Sequence, residues 1–121
     1  PPAIARGSAL ADQALALDQG GDVASALPLY AQAVQILPGM ANIRTYYGWA
    51  LARTGHTRPA LAQLQAAVRL DPSLPATRLY LGAVLKRTGQ RPQARAQLER
   101  AIALDPGGPT GAAARQLLAD G

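Results

Sequence analysis

Cysteine is absent from this chain of 121 residues, so disulfides, zinc–thiolate sites and thiol catalysis are excluded. Phenylalanine is absent too, Trp49 is the single tryptophan, and aromatic residues make up 4% of the chain. β-branched residues are also scarce, which argues against a sheet. No apolar run approaches the length needed to cross a bilayer, and no segment reads as a secretory signal. The first residues are Pro1-Pro2 with no initiating Met, which reads as an excised domain or a processed product. Histidine occurs once, at His56, in a short turn after Gly55. Neither Ser8 nor Ser73 pairs with it in a catalytic motif, and a solvated turn residue is the reading that fits. The acidic residues form no cluster with metal-ligand spacing. Gly20-Gly21 and Gly107-Gly108 lack the strand, helix and lysine of a phosphate loop and read as helix stops. Nothing here calls for catalysis, a metal or a cofactor.

What the chain does have is alanine and leucine, strong helix formers that dominate its 49% hydrophobic content. It also has a period. Gly21, Gly55 and Gly89 recur every 34 residues, as do Ala26, Ala60 and Ala94, and Pro38, Pro72 and Pro106. A fixed period in this range marks stacked supersecondary units, each too small to bury its own apolar face.

Each period splits into two helices. The second predicts helices over about Ala41–Arg53 and Thr57–Leu70, separated by a stop at Gly55. Thr57 is placed to cap the second of these, with Pro59 in its first turn. The third predicts helices over about Ala76–Arg87 and Pro92–Leu104, and the first over about Ile4–Asp18 and Val23–Ile36. Pro28 lies one turn into its helix, where it should kink the helix or delay its start. Gly107-Gly108-Pro109 reads as a flexible break, followed by a short helix within about 110–119 that covers the last apolar face.

Charge is uneven. Residues 7–40 carry a net −3, and residues 41–100 a net +8 within an overall +5. Such asymmetry suits an acidic partner. Eleven of the twelve basic residues are arginine, which also fits a compositional bias of the source genome.

Read in phase, the units resemble the tetratricopeptide repeat over residues 7–108. The signature's small eighth position holds Ala14, Gly48 and Gly82; the eleventh holds Leu17, Leu51 and Leu85. The twenty-fourth holds Tyr30, Leu64 and Leu98, and the twenty-seventh Ala33, Ala67 and Ala101. The resemblance implies an all-α solenoid with a right-handed superhelical course. It would be a single domain with repeats at 7–40, 41–74 and 75–108 and a capping helix. One departure stands out. The fourth position, often Trp, holds Leu10, Arg44 and Arg78, and arginines there are expected to weaken packing slightly.

The resemblance further implies a non-catalytic interaction module whose concave groove is lined by the first helix of each repeat. Carried over, the groove positions are Ser8, Ala11, Asp12, Leu15, Asp18 and Gln19 in the first unit. In the second they are Asn42, Thr45, Tyr46, Trp49, Ala52 and Arg53, and in the third Ala76, Leu79, Tyr80, Ala83, Lys86 and Arg87. Tryptophan, tyrosine and arginine are what interface hot spots use. An acidic or carboxylate-bearing peptide would use Arg53, Lys86 and Arg87 while packing on Trp49, Tyr46 and Tyr80. The competing placement has these aromatics packed on a neighbouring helix. Chaperone-tail binders of the family use Lys and Asn where this chain has Ala11 and Leu15, so that ligand is not expected. Two other readings stay open: RNA or another polyanion bound by the basic centre, and self-assembly through the repeat ends.

Overall fold

The computed structural model describes residues 2–121. Among them are seven α-helices and no strand: α1 (Pro2–Gln19), α2 (Val23–Ile36), α3 (Ala41–Arg53), α4 (Thr57–Leu70), α5 (Pro75–Arg87), α6 (Arg91–Leu104) and α7 (Pro109–Ala119). They fall into two compact units, one up to Leu70 and one from Asp71. In the first unit α1 pairs with α2 and α3 with α4, and α2 also packs on α3. In the second, α5 pairs with α6, and α7 lies against both.

The periodic glycines end the first helix of every pair. Gly21, Gly55 and Gly89 have φ of 94°, 85° and 79°, a left-handed conformation that is costly for residues with a Cβ. Each closes a Schellman motif. After α3, the Gly55 N–H donates to the Ala52 carbonyl at 3.2 Å and the His56 N–H to the Leu51 carbonyl at 2.9 Å. The same pair of bonds recurs from Gly21 and Asp22, and from Gly89 and Gln90.

Within each pair the helices meet at the small eighth position. A Cβ built on Gly48 would lie 2.8 Å from Leu64 Cγ, and one on Gly82 would lie 2.7 Å from Leu98 Cγ. Leu64 and Leu98 are fully buried, so neither can swing aside. In the first pair the same place holds Ala14, packed in one cluster with Tyr30. A flat ring leaves room for a methyl that a branched leucine takes away.

Four expectations need correction. Arg44 and Arg78 do not loosen the packing; they staple it. The Arg44 guanidinium donates to the Pro38 carbonyl (2.7 Å) and to Gln63 Oε1 (3.0 Å). Arg78 repeats this on the Pro72 carbonyl (3.1 and 3.3 Å) and Gln97 Oε1 (3.0 Å). Each arginine thus ties the preceding loop to the second helix of its own pair. Burial, and then the nearby Arg100 charge, lower the Arg78 pKa from arginine's ordinary value. Pro28 neither delays nor ends α2, which begins at Val23 under a cap from Asp22 (Ser25 N–H to Oδ1, 3.2 Å). Pro28 and Ala24 are both exposed, so water can serve the carbonyl that the missing N–H leaves. Thr57 is the first residue of α4, and His56 stands before it in the capping place. The segment before α7 is tied down: the Asp105 carboxylate accepts from the Thr110 and Gly111 N–H groups at 3.0 and 3.3 Å.

Urea unfolding of the intact chain checks both the close crossing and the arginine staple. Gly48→Ala should cost about 1 kcal/mol, as overpacking outweighs the gain in helix propensity. Leu64→Ala should cost about 3 kcal/mol, and the double variant about 1 kcal/mol less than the sum, since truncating Leu64 relieves the clash. Arg78→Ala should cost about 1 kcal/mol, and Arg78→Lys should recover little of it, because lysine cannot reach both acceptors with a planar fork.

Candidate interaction faces

The α3 face carries the aromatic candidates. Tyr46 is 40% exposed, Trp49 is half-buried one turn on, and Asn42 is exposed one turn before. Helical spacing puts the three on one stripe. Arg53 lies a further turn along, its guanidinium carbon 5.9 Å from the centre of the Trp49 ring. That geometry is a cation–π contact.

Arg53 has a second anchor. Its Nη2 lies 2.8 Å from Asp18 Oδ2 on α1. The same carboxylate oxygen accepts from the Tyr30 hydroxyl at 2.9 Å. Tyr30 is fully buried and stacks at a tilt on Tyr47, with ring centres 6.3 Å apart. A chain of contacts therefore runs from the core of the first unit through Tyr30, Asp18 and Arg53 to the surface at Trp49. Burial pushes the Asp18 pKa up, but hydrogen bonds from Arg53 and Tyr30 and the Arg53 charge outweigh it and leave a net lowering. For Tyr30, burial and then Asp18 raise the pKa well above the ordinary tyrosine value, so it remains a hydroxyl donor.

Other carried-over positions divide. Thr45 and Ala52 are buried, 4% exposed each, and offer no ligand surface. Thr45 Oγ1 donates to the Ala41 carbonyl at 2.9 Å, a bond within its own helix that lets a polar residue be buried there. On α1, Ser8, Asp12 and Gln19 are exposed, while Ala11 and Leu15 are half-buried. On α5, Arg87 is exposed and Ala76, Tyr80 and Ala83 are half-buried. Leu79 packs on the cluster of Leu98, Ala101 and Ala114, so it belongs mainly to the core of the second unit. Lys86 Nζ donates to the Leu117 carbonyl at 2.5 Å, which holds the last turn of α7. Arg53 and Lys86, expected to wait for a ligand, both have partners within the chain. The acidic first repeat and the basic second were legible from composition; that Asp18 reaches Arg53 across 35 residues was not.

His56 is exposed in the turn, with Nδ1 3.0 Å from the Thr54 hydroxyl. Among the described residues no group of His, Asp or Glu could hold a metal ion, and no helix is long and apolar enough to cross a membrane.

Helical hairpins with small residues at the crossing, Schellman stops and a closing helix define a helical-repeat protein. Models described as tetratricopeptide repeat match residues 16–73 and 76–108. The chain belongs to the tetratricopeptide repeat family, a class of protein-interaction modules. No curated protein matches it in sequence. Among solved structures, the Arabidopsis OM64 TPR domain is similar with a TM-score of 0.88 at 17% identity, covering 98% of each chain. YrrB, described as a TPR protein with an unusual peptide-binding site, has a TM-score of 0.83 at 23% identity. That match covers 92% of this chain, which spans only 57% of YrrB. The first TPR of Spaghetti (RPAP3), bound to the HSP90 peptide SRMEEVD, has a TM-score of 0.83 at 19% identity over 94% of each chain. At these identities the likeness is one of fold.

The sign of the Asp18 contribution is testable. Its folded pKa lies below the unfolded value of about 3.9, so the stabilisation is complete above that value and is lost as pH falls through the folded pKa. Asp18→Asn should cost about 1 kcal/mol near neutrality. It should also flatten the fall in urea midpoint below about pH 4. An unchanged acid limb in the variant would show that Asp18 does not carry that dependence.

Proposed function

We propose that the protein holds a peptide or protein segment against the first helices of its repeats, with α3 as the principal face. The observation that carries this reading is Trp49. It is the chain's only tryptophan, half-buried on α3 beneath Arg53 and beside the exposed Tyr46. A large, rigid aromatic surface costs little entropy to immobilise and is what hot spots are made of. Arg53 is already held by Asp18, so the face is pre-organised before a partner arrives. Asn42 adds an exposed amide that can both donate to and accept from an extended backbone. Tyr80, Ala83 and Arg87 occupy the equivalent positions of α5 in the second unit.

The peptide-bound state of the RPAP3 domain and the description of YrrB support the choice of a peptide. The chemistry of that peptide differs from a chaperone tail. Ala11 and Leu15 stand where the clamp needs Lys and Asn, and the Arg53 charge is already matched by Asp18. Recognition on this face rests on apolar and aromatic side chains packed on Trp49 and Tyr46, with carboxylates secondary.

Peptides selected from a displayed random library against the intact chain test this, with Trp49 emission as the reporter for the parent and for Tyr46→Ala, and titration calorimetry for Trp49→Ala, which has no tryptophan. Tyr46→Ala and Trp49→Ala should each weaken the selected peptides about tenfold or more while the helical circular dichroism is unchanged. SRMEEVD should leave the emission unmoved at about 1 mM. Selected peptides that bind both variants as tightly as the parent would place the site elsewhere.

A further inference from the structure

We propose, resting on the reading of α3 as the peptide face, that Asp18 is the specificity-determining residue of that face. It neutralises Arg53 from within the chain, so that α3 accepts uncharged peptide segments and turns acidic ones away. Arg53 is the cation at the Trp49 ring, 5.9 Å from its centre. A guanidinium without a counter-charge there would favour a carboxylate-bearing peptide.

In this chain the counter-charge comes from α1. Asp18 Oδ2 lies 2.8 Å from Arg53 Nη2, and the Asp18 side chain is only 11% exposed. The same oxygen accepts from the Tyr30 hydroxyl at 2.9 Å, and Tyr30 is fully buried. The carboxylate is therefore fixed from the core. It also needs Arg53. Residues 7–40 contain no Lys, Arg or His that could replace it. Giving Arg53 up to a ligand would leave a largely buried carboxylate without a counter-charge, which is costly.

A ligand carboxylate arriving at Arg53 thus meets a second negative charge. Repulsion from Asp18 offsets attraction to Arg53, and a repulsive element of this kind is a common source of specificity. A neutral acceptor meets no such repulsion. Asp18 engages Nη2 alone, whereas a guanidinium has five N–H donors. The Arg53 side chain is 36% exposed, so its remaining donors can serve a peptide carbonyl or a side-chain amide. Asp18 leaves Arg53 a hydrogen-bond donor and removes its value as an anion receptor. The partner class is then an apolar or aromatic segment with uncharged residues beside its anchor on Trp49.

The test is a pair of selections from one displayed random library, on the intact parent chain and on Asp18→Asn. Asparagine keeps the size of Asp18 and an oxygen for the Tyr30 hydroxyl, so the variant keeps the fold, and helical circular dichroism checks that. Peptides selected on Asp18→Asn should be enriched in Asp and Glu, and those selected on the parent should not. A variant-selected peptide in its Glu form should bind Asp18→Asn about fivefold more tightly than its Gln form, read by Trp49 emission. On the parent that preference should vanish. Arg53→Gln added to Asp18→Asn should abolish it too, an effect that a merely structural role for Asp18 does not produce. The proposal is overturned by selections equal in acid content, by a Glu-to-Gln ratio that is the same on parent and Asp18→Asn, or by a preference that survives Arg53→Gln. If the peptides concerned lose affinity with Tyr46→Ala and Trp49→Ala, such a failure is confined to Asp18. If they bind those two variants as they bind the parent, the reading of α3 fails and the proposal falls with it.

Discussion

Everything in this molecule depends on how closely two helices can approach within a pair. Gly48 lies against Leu64 and Gly82 against Leu98, closer than a methyl group would allow. That approach buries each leucine completely, a contribution of roughly 2 kcal/mol apiece. It also orients the two helices of a pair, and so decides which side of the first helix is left for a partner. The left-handed glycine after each first helix serves the same end, returning the chain in a short turn so that the second helix can meet the first.

Once the pairs are formed, polar side chains fasten the loops and helices around them. The arginines at the fourth position are the clearest case. Where the family often has an aromatic, this chain uses a guanidinium that spans a loop carbonyl and a glutamine on the second helix. An arginine held by two or three such bonds replaces the area of a ring with directed hydrogen bonds. The Tyr30–Asp18–Arg53 chain follows the same logic in the first unit, and there it ends at the surface. A core residue thereby positions the group that overlies Trp49. Structure and candidate function meet at one carboxylate.

Such engagement changes the partner chemistry. Read as a row of groove positions, Arg53, Lys86 and Arg87 invite an acidic peptide. In the folded chain Asp18 has matched the first and a helix-end carbonyl holds the second. The face on α3 is left aromatic and amide-bearing.

The sequence alone determined the helical pairs, their period, the glycine stops, the small-residue crossings and the family, because each follows from residues a fixed distance apart along one chain. It also named the α3 stripe of Asn42, Tyr46 and Trp49. It did not show that Thr45 would be buried, that Leu79 would join the core, or that Arg53 and Lys86 would be taken. Those outcomes were decided by tertiary structure. Position in a repeat says which side of a helix a residue occupies, but a long charged side chain reaches several ångströms beyond it. Where its tip rests depends on acceptors that other helices bring near, such as Asp18 for Arg53 and the end of α7 for Lys86.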